Sequence, residues 1–183
     1  MKEPDTAGPA EGGDPAGEFP LNSVDYLFYL LSAIGRLRES QLEPALQILD
    51  LNLARHRAME VIGRLGPCTM SELATFTSVD RTTLTRSVDQ LLTSGLVERN
   101  KDPVDRRLVY VALTDAGRAL QARASAFVGN HGRYLLEGIS EAEQREFIRL
   151  QRLLVAKLAP DAPAAEQILN YSRSTDAQDK AAD

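Results

Sequence analysis

Apolar residues recur along this chain at helical spacing between short polar breaks, which is the pattern of a mainly helical protein. The first stripe places four residues on one helix face, and they are Val24, Leu27, Leu31 and Ile34. Leu42, Leu46 and Leu49 continue it, although Pro44 predicts a kink or a restart of the helix. Residues 23–52 are therefore predicted to form a helical region whose apolar face needs a partner.

Two short helices separated by a tight turn are predicted next. Asn52 can cap a second helix, and Thr69 with Glu72 has the Thr-x-x-Glu form of a capping box that starts a third helix. Asp80 can cap a fourth helix after the turn at residues 77–79. The residues of that helix predicted to face the core are Leu84, Val88, Leu91 and Leu92.

A β-hairpin follows the fourth helix. Residues 96–99 are predicted to pair with residues 108–113 around a charged loop that contains Asp-Pro. Helix, turn, helix and hairpin in this order describe a winged helix-turn-helix over residues 53–114. The predicted fold class is therefore mainly α with a small β-hairpin wing, together with a helical dimerisation region.

The exposed side of the fourth helix carries residue types suited to double-stranded DNA. Its candidate DNA-binding residues are Arg81, Thr82, Thr83, Thr85 and Arg86. Arg can pair with guanine, and Thr can contact a thymine methyl group or a phosphate. Arg106 and Arg107 in the wing are candidates for a narrow minor groove, with Asp105 positioning the wing. The alternative is an ordinary solvated surface of charged and hydroxyl side chains.

The net charge of -5 does not oppose this interpretation, because the acidic excess lies at the ends. Residues 1–22 carry one Lys and five acidic residues, and residues 159–183 carry two basic and five acidic residues. The segment between them has a net charge of +2. Both ends are poor in large apolar residues, so that 1–22 is predicted to be a disordered acidic tail and 159–183 a mobile acidic tail.

Residues 115–158 are predicted to supply the rest of a dimerisation region. Thr114 caps a fifth helix, and Ser140 with Glu143 forms a capping box that opens a last helix. The first, fifth and last helices are each apolar on one face. Packing them across a two-fold axis would bury these faces in a homodimer and align two DNA-reading helices on a palindromic operator.

One long run of the sequence resembles the winged-helix core of the MarR (multiple antibiotic resistance regulator) family, and it is SVDRTTLTRSVDQLLTSGLVERNKDPVDRRLVYVALTDAGRAL. The resemblance implies a homodimeric repressor or activator with an effector pocket between its DNA-binding and dimerising parts. It assigns Thr83, Thr85 and Arg86 to recognition-helix positions and Arg107 to the wing tip. Gln90 departs from the family pattern, because many relatives carry another Arg at that position.

The resemblance also implies a small aromatic or anionic effector. The candidate effector-binding residues are Tyr26, Tyr29, Arg36, His56 and His131. Arg36 is the candidate anion partner. Ordinary packing is the alternative for the tyrosines and histidines.

Other functions find little support in the sequence. Two His, one Cys and the lack of a Gly-rich fingerprint predict no enzyme, no metal site and no cofactor. Cys68 is interpreted as a small, partly buried hydrophobe in preference to a redox sensor. No apolar run is long enough for a membrane span and the N-terminus lacks a secretory signal, which predicts a cytoplasmic protein. A winged-helix protein-interaction or architectural module without a ligand switch is the alternative function.

Overall fold

The computed structural model describes residues 24–170, apart from the side chains of residues 163, 164 and 167. This part of the chain forms seven helices and one two-stranded antiparallel hairpin, which confirms the predicted fold class. The helices are α1 (Val24–Ile48), α2 (Leu53–Leu65), α3 (Met70–Thr77), α4 (Arg81–Thr93), α5 (Asp115–Leu135), α6 (Glu141–Leu158) and α7 (Ala162–Leu169). The strands are β1 (Val97–Lys101) and β2 (Val109–Leu113).

The chain divides into two compact units after Arg38. The described part of the first unit is the N-terminal portion of α1. α1 continues without interruption through Pro44 in the second unit, so the predicted restart at this proline is wrong. Leu42 and Leu46 lie on either side of Pro44 and are 1% and 0% exposed, and this packing keeps the helix intact although the proline cannot donate a backbone hydrogen bond.

The core of the second unit lies among α2, α3, α4 and the hairpin. The predicted inward positions Leu84, Val88 and Leu91 are fully buried, and Leu92 is partly buried against them. Cys68, in the connection between α2 and α3, pairs with Val111 of β2 through two backbone hydrogen bonds of 3.1 and 2.8 Å. The wing is therefore joined to the helix-turn-helix by backbone as well as by side chains.

The N-terminus of α5 is fixed closely to the start of the wing. A Cβ on Gly117 would lie 1.9 Å from the carbonyl oxygen of Leu96, so that only glycine permits this approach. Thr114 caps α5 by accepting the N–H of Gly117 at 3.0 Å and donates its hydroxyl to the carbonyl of Gly95 at 2.7 Å. This confirms the predicted cap and anchors α5 to the winged part.

A polar cluster joins the middle of α5 to α2. Glu60 Oε2 accepts hydrogen bonds from Ser125 Oγ at 2.5 Å and Gln121 Nε2 at 3.2 Å, and Glu60 Oε1 accepts from Arg64 Nε at 3.2 Å. Gly63 makes room for this arrangement, because a Cβ there would lie 3.1 Å from the Gln121 side chain. α5 is thus attached to the winged part at two separate points.

The two last helices depart in part from the prediction. α6 begins at the predicted capping box of Ser140 and Glu143, but none of its described residues is buried. α7 lies within the range predicted as a mobile acidic tail, so residues 162–169 form a helix that the prediction did not include. Alanines favour the helix, Ala165 is 8% exposed, and Arg152 Nη1 donates to the carbonyl of Leu169 at 2.9 Å.

The predicted tail at 1–22 and the end of the second tail, 171–183, lie outside the described residues. The boundaries expected after residues 22, 52, 114 and 158 stay predictions. Among the described helices, none is both long and apolar enough to cross a membrane.

Candidate nucleic-acid interface

Both helices that flank the turn before α4 begin at a side-chain cap. Thr69 and Glu72 form the predicted capping box of α3, and Ser78 ends that helix with a left-handed φ of 52°. Asp80 Oδ1 then accepts the backbone N–H of Thr83 at 2.9 Å. Hydrogen bonds from the side chain and then the backbone of Thr83 lower the pKa of Asp80, so the cap is ionised at neutral pH.

The predicted DNA-reading residues lie on the exposed face of α4, and they are Arg81, Thr82, Thr83, Thr85 and Arg86. The opposite face carries the fully buried Leu84 and Val88, which fixes the rotation of the helix. Thr85 Oγ1 donates to the carbonyl of Arg81 at 2.8 Å. The Thr85 hydroxyl proton is therefore used within α4, and its methyl group and oxygen lone pairs remain for an outside partner.

The wing loop is ordered by two aspartates. Asp102 Oδ1 accepts the backbone N–H groups of Val104 and Asp105, both at 2.8 Å, and these bonds lower the pKa of Asp102. Asp105 Oδ1 accepts the backbone N–H of Arg107 at 3.0 Å. The positioning residue predicted from the sequence thus contacts the Arg107 backbone. The role of Asp102 in ordering the loop was not predicted, although the Asp-Pro pair that begins at this residue is a signal for such a turn.

An ion pair connects the wing to α4. Arg99 Nη2 on β1 lies 2.8 Å from Asp89 Oδ1 on α4, and both side chains are about half exposed. No local pattern in the chain indicates this pair. Predicting the pair from the sequence would require the rotation of α4 and the register of β1, in which Arg99 lies opposite Val111.

The four arginines assigned to DNA contact differ from five other arginines of the described chain in having no carboxylate partner. Arg57, Arg64, Arg118, Arg145 and Arg149 form ion pairs with nearby carboxylates. In the part of the chain that the structure describes, the guanidinium groups of Arg81, Arg86, Arg106 and Arg107 are exposed and enter no ion pair. Two of these unpaired cations lie on α4 and two in the wing loop, the two elements that a winged helix-turn-helix uses to contact DNA.

The effector candidates lie in both units. In the first unit, Tyr26 and Tyr29 stack with ring centroids 6.2 Å apart, and Arg36 is exposed on the same helix. In the second unit, His131 Nε2 lies 2.9 Å from Gln41 Oε1. His56 is buried and lines a surface pocket of about 260 Å³ with residues of α2 and α3. Effector contact by these residues stays a prediction.

Cys68 is a buried thiol that is 2% exposed. Burial, together with the negative charge of Glu72, raises the pKa of Cys68 to about 12. The thiol is therefore protonated at neutral pH, and the thiolate that reacts with peroxide is scarce. The burial agrees with the interpretation of Cys68 as a small hydrophobe.

Comparisons with known proteins agree with this geometry. The MarR family profile matches residues 51–109. The chain is 32% identical over 109 residues to the multiple antibiotic resistance protein MarR of Escherichia coli K12, covering 60% of this chain and 76% of that protein. It is 27% identical over 157 residues to the HTH-type transcriptional repressor IacR of Pseudomonas putida, covering 84% and 92%.

A solved structure resembles the described fold and contains DNA. It is a cysteine-to-serine mutant of MarR from E. coli complexed with operator DNA, with a TM-score of 0.64 and 28% identity. The match covers 75% of this chain and 99% of that one. The fold described above is therefore one that engages an operator in a related protein.

Proposed function

This chain belongs to the MarR family of transcriptional regulators, and we propose that it acts as a homodimeric repressor of a palindromic operator. It is a DNA-binding regulator and not an enzyme. In the proposed complex, α4 is the recognition helix in the major groove and the hairpin is the wing over the minor groove. Repression is proposed because the P. putida relative is named a transcriptional repressor.

The observation that carries the proposal is the set of exposed guanidinium groups on α4 and in the wing loop that enter no ion pair among the described residues. Arg81 and Arg86 project from the first two turns of α4, the part of a recognition helix that meets base edges. Arg106 and Arg107 project from a loop that Asp102 and Asp105 order. The segment between residues 23 and 158 has a net charge of only +2, so binding depends on these few arginines more than on a broad basic surface.

Dimerisation is proposed from the exposed apolar side chains of α6. On α6, the fractional exposures of Phe147, Leu150 and Leu153 are 48%, 46% and 50%. Apolar residues this exposed along one helix are typical of a surface that another subunit covers. A two-fold axis would place two recognition helices one DNA turn apart, about 34 Å, which explains why a palindrome is expected.

Release by a small aromatic or anionic effector completes the proposed function, and the protein is expected to act in the cytoplasm. The stacked rings of Tyr26 and Tyr29 offer an aromatic surface. Arg36 lies seven residues, about two turns, beyond Tyr29 and offers a cation to a carboxylate. A screen of aromatic acids and phenols for release of bound operator tests this part of the proposal.

The DNA assignment is tested by fluorescence anisotropy with an operator selected from random DNA. Arg86→Ala is expected to cost on the order of 1 to 3 kcal/mol of binding free energy and to relax base preference. Arg145→Ala is the matched control, because it removes an exposed arginine that pairs with Glu141 on α6. Equal operator binding by the parent and Arg86→Ala would contradict the assignment of α4.

A further inference from the structure

Arg55 lies at the edge of the proposed DNA-binding surface although it belongs to α2. Its backbone N–H donates to the capping side chain of Asn52 at 2.8 Å, which fixes the first turn of the helix. Its side chain lines a surface groove of about 300 Å³ between α2 and the C-terminal half of α4. The other residues that line this groove are Asp89, Gln90, Thr93 and Ser94.

This groove continues the exposed face of the recognition helix. Gln90 and Thr93 follow Arg86 at spacings of four and seven residues, so they lie on the same side of α4. Both are exposed and uncharged. A recognition helix that enters the major groove brings its flanks close to the phosphates on either side. In the proposed complex, the α4 side of the groove would face phosphates without offering them a positive charge.

Arg55 is the positive charge available at this place. The carboxylate of Asp89 is already neutralised by Arg99 at 2.8 Å. The Nε atom of Arg55 is buried and has no hydrogen-bond partner among the described residues. A buried Nε is out of reach of an outside ligand, so the terminal nitrogens of the guanidinium group are the donors that remain for one. A phosphate has suitable oxygens, and it accepts two parallel hydrogen bonds from a guanidinium group.

We propose that Arg55 binds a backbone phosphate of the operator and thereby supplies, from α2, the cation that the second half of α4 lacks. This inference rests on the proposed function, since it assumes that α4 enters the major groove. A phosphate contact fixes the position of a protein on the duplex and carries no base preference. Arg55 is thus a positioning residue that holds the recognition helix from its flank.

The test compares the salt dependence of operator binding by Arg55→Gln, Arg55→Lys and the parent. Loss of one phosphate contact in each subunit should make the slope of log K against log salt shallower by about 1.8, at about 0.9 for each contact. Affinity in 0.15 M salt should fall about 10- to 30-fold, and equally for the operator and for base-substituted sites. Arg55→Lys should retain the parent's slope, because it retains the charge.

Arg57→Gln is the matched control, because it removes a positive charge from the same helix where Arg57 pairs with Glu39 at 2.5 Å. Thermal melting of each variant checks its fold. If Arg55→Gln melts early, Arg55→Met replaces it and keeps the apolar stem. Methylphosphonate substitution of single operator phosphates provides a second measurement. At one phosphate in each half-site, this substitution should weaken operator binding by the parent and have no further effect on binding by the neutral Arg55 variant.

A parent-like slope in Arg55→Gln, or a selective loss of base preference, would overturn the role of Arg55. The same holds if every methylphosphonate weakens the parent and the variant equally. Failure of the proposed function has a different signature, because Arg86→Ala and Arg107→Ala would then bind the operator like the parent. If those two variants weaken binding and Arg55→Gln keeps the slope, only the inference on Arg55 fails.

Discussion

Arg99 on β1 and Asp89 on α4 form an ion pair of 2.8 Å that joins the wing to the recognition helix. The side chains are 45% and 53% exposed, so solvent screens the pair and its contribution to the free energy of unfolding is at most about 1 kcal/mol. Its consequence is geometric. The pair restrains the angle between the two elements that are proposed to enter adjacent grooves of DNA.

Arg99→Gln should therefore affect the wing more than the overall stability. We expect the free energy of unfolding to fall by less than about 1 kcal/mol, while hydrogen exchange of the amides in β1 and β2 becomes faster. Asp89→Asn should produce the same change in exchange, and the double variant should add little to either single one. Unchanged exchange in both single variants would contradict the restraint.

The wing arginines should respond to the shape of the minor groove. Arg107→Ala is expected to weaken binding most at operators with an A·T-rich, narrow minor groove beneath the wing, because the negative potential there attracts a guanidinium group most strongly. Arg106→Ala is the comparison at the adjacent position. Anisotropy titrations with A·T-rich and G·C-rich flanks provide the measurement, and equal losses at both flanks would argue against minor-groove insertion by Arg107.

Glu60 should make the attachment of α5 to α2 dependent on pH. Burial raises the pKa of Glu60, but hydrogen bonds from Ser125, Arg64 and Gln121 outweigh it and leave the pKa below its ordinary value. A lowered pKa in the folded state stabilises the protein above the unfolded pKa, about 4.3 for Glu, and this stabilisation is lost as the pH falls through the folded pKa. The side chain is 20% exposed, so screening by solvent is limited.

Glu60→Gln should thus lower the free energy of unfolding by about 1 to 3 kcal/mol at pH 7, and the difference from the parent should shrink below about pH 4.3. Urea denaturation at pH 7, 5 and 3 measures the difference in the free energy of unfolding between the parent and Glu60→Gln. Glu43→Gln controls for the loss of one exposed carboxylate. A difference between the parent and Glu60→Gln that stays constant from pH 7 to pH 3 would show that the charge of Glu60 does not contribute.

The proposed dimer predicts that a charge on the apolar face of α6 separates the subunits. Leu150 is 46% exposed in the single chain, so Leu150→Glu should leave the fold of each subunit intact. Sedimentation velocity at micromolar concentration should find a dimer for the parent and a monomer for this variant. Gln151→Glu on the neighbouring exposed position is the control. A parent that sediments as a monomer would exclude the proposed arrangement of two recognition helices.

Much of the local structure could be predicted because its causes are close together in sequence. Each cap at Asn52, Thr69, Asp80, Thr114 and Ser140 accepts a backbone N–H three residues later, and the structure contains all five. Helical periodicity likewise indicates which face of α4 is buried. The fold class follows from such local signals in the correct order.

Features that depend on packing between distant segments could not be predicted in the same way. The pairing of Arg99 with Asp89, the approach of Arg55 to α4 and the Glu60 cluster each require the relative placement of two elements. Pro44 does not interrupt α1, because tertiary packing at its neighbours outweighs its local effect. Composition alone also does not predict α7, because its alanines suit a helix as well as a tail.

The central claim is that two copies of this chain read an inverted repeat through α4 and the wing. Selection of duplexes from a random pool by the full chain, followed by sequencing of the bound fraction, tests it most directly. We predict enrichment of a palindrome whose half-site centres lie about 10 to 10.5 base pairs apart. A bound fraction without enrichment, or one enriched in a single unrepeated half-site, would contradict the claim.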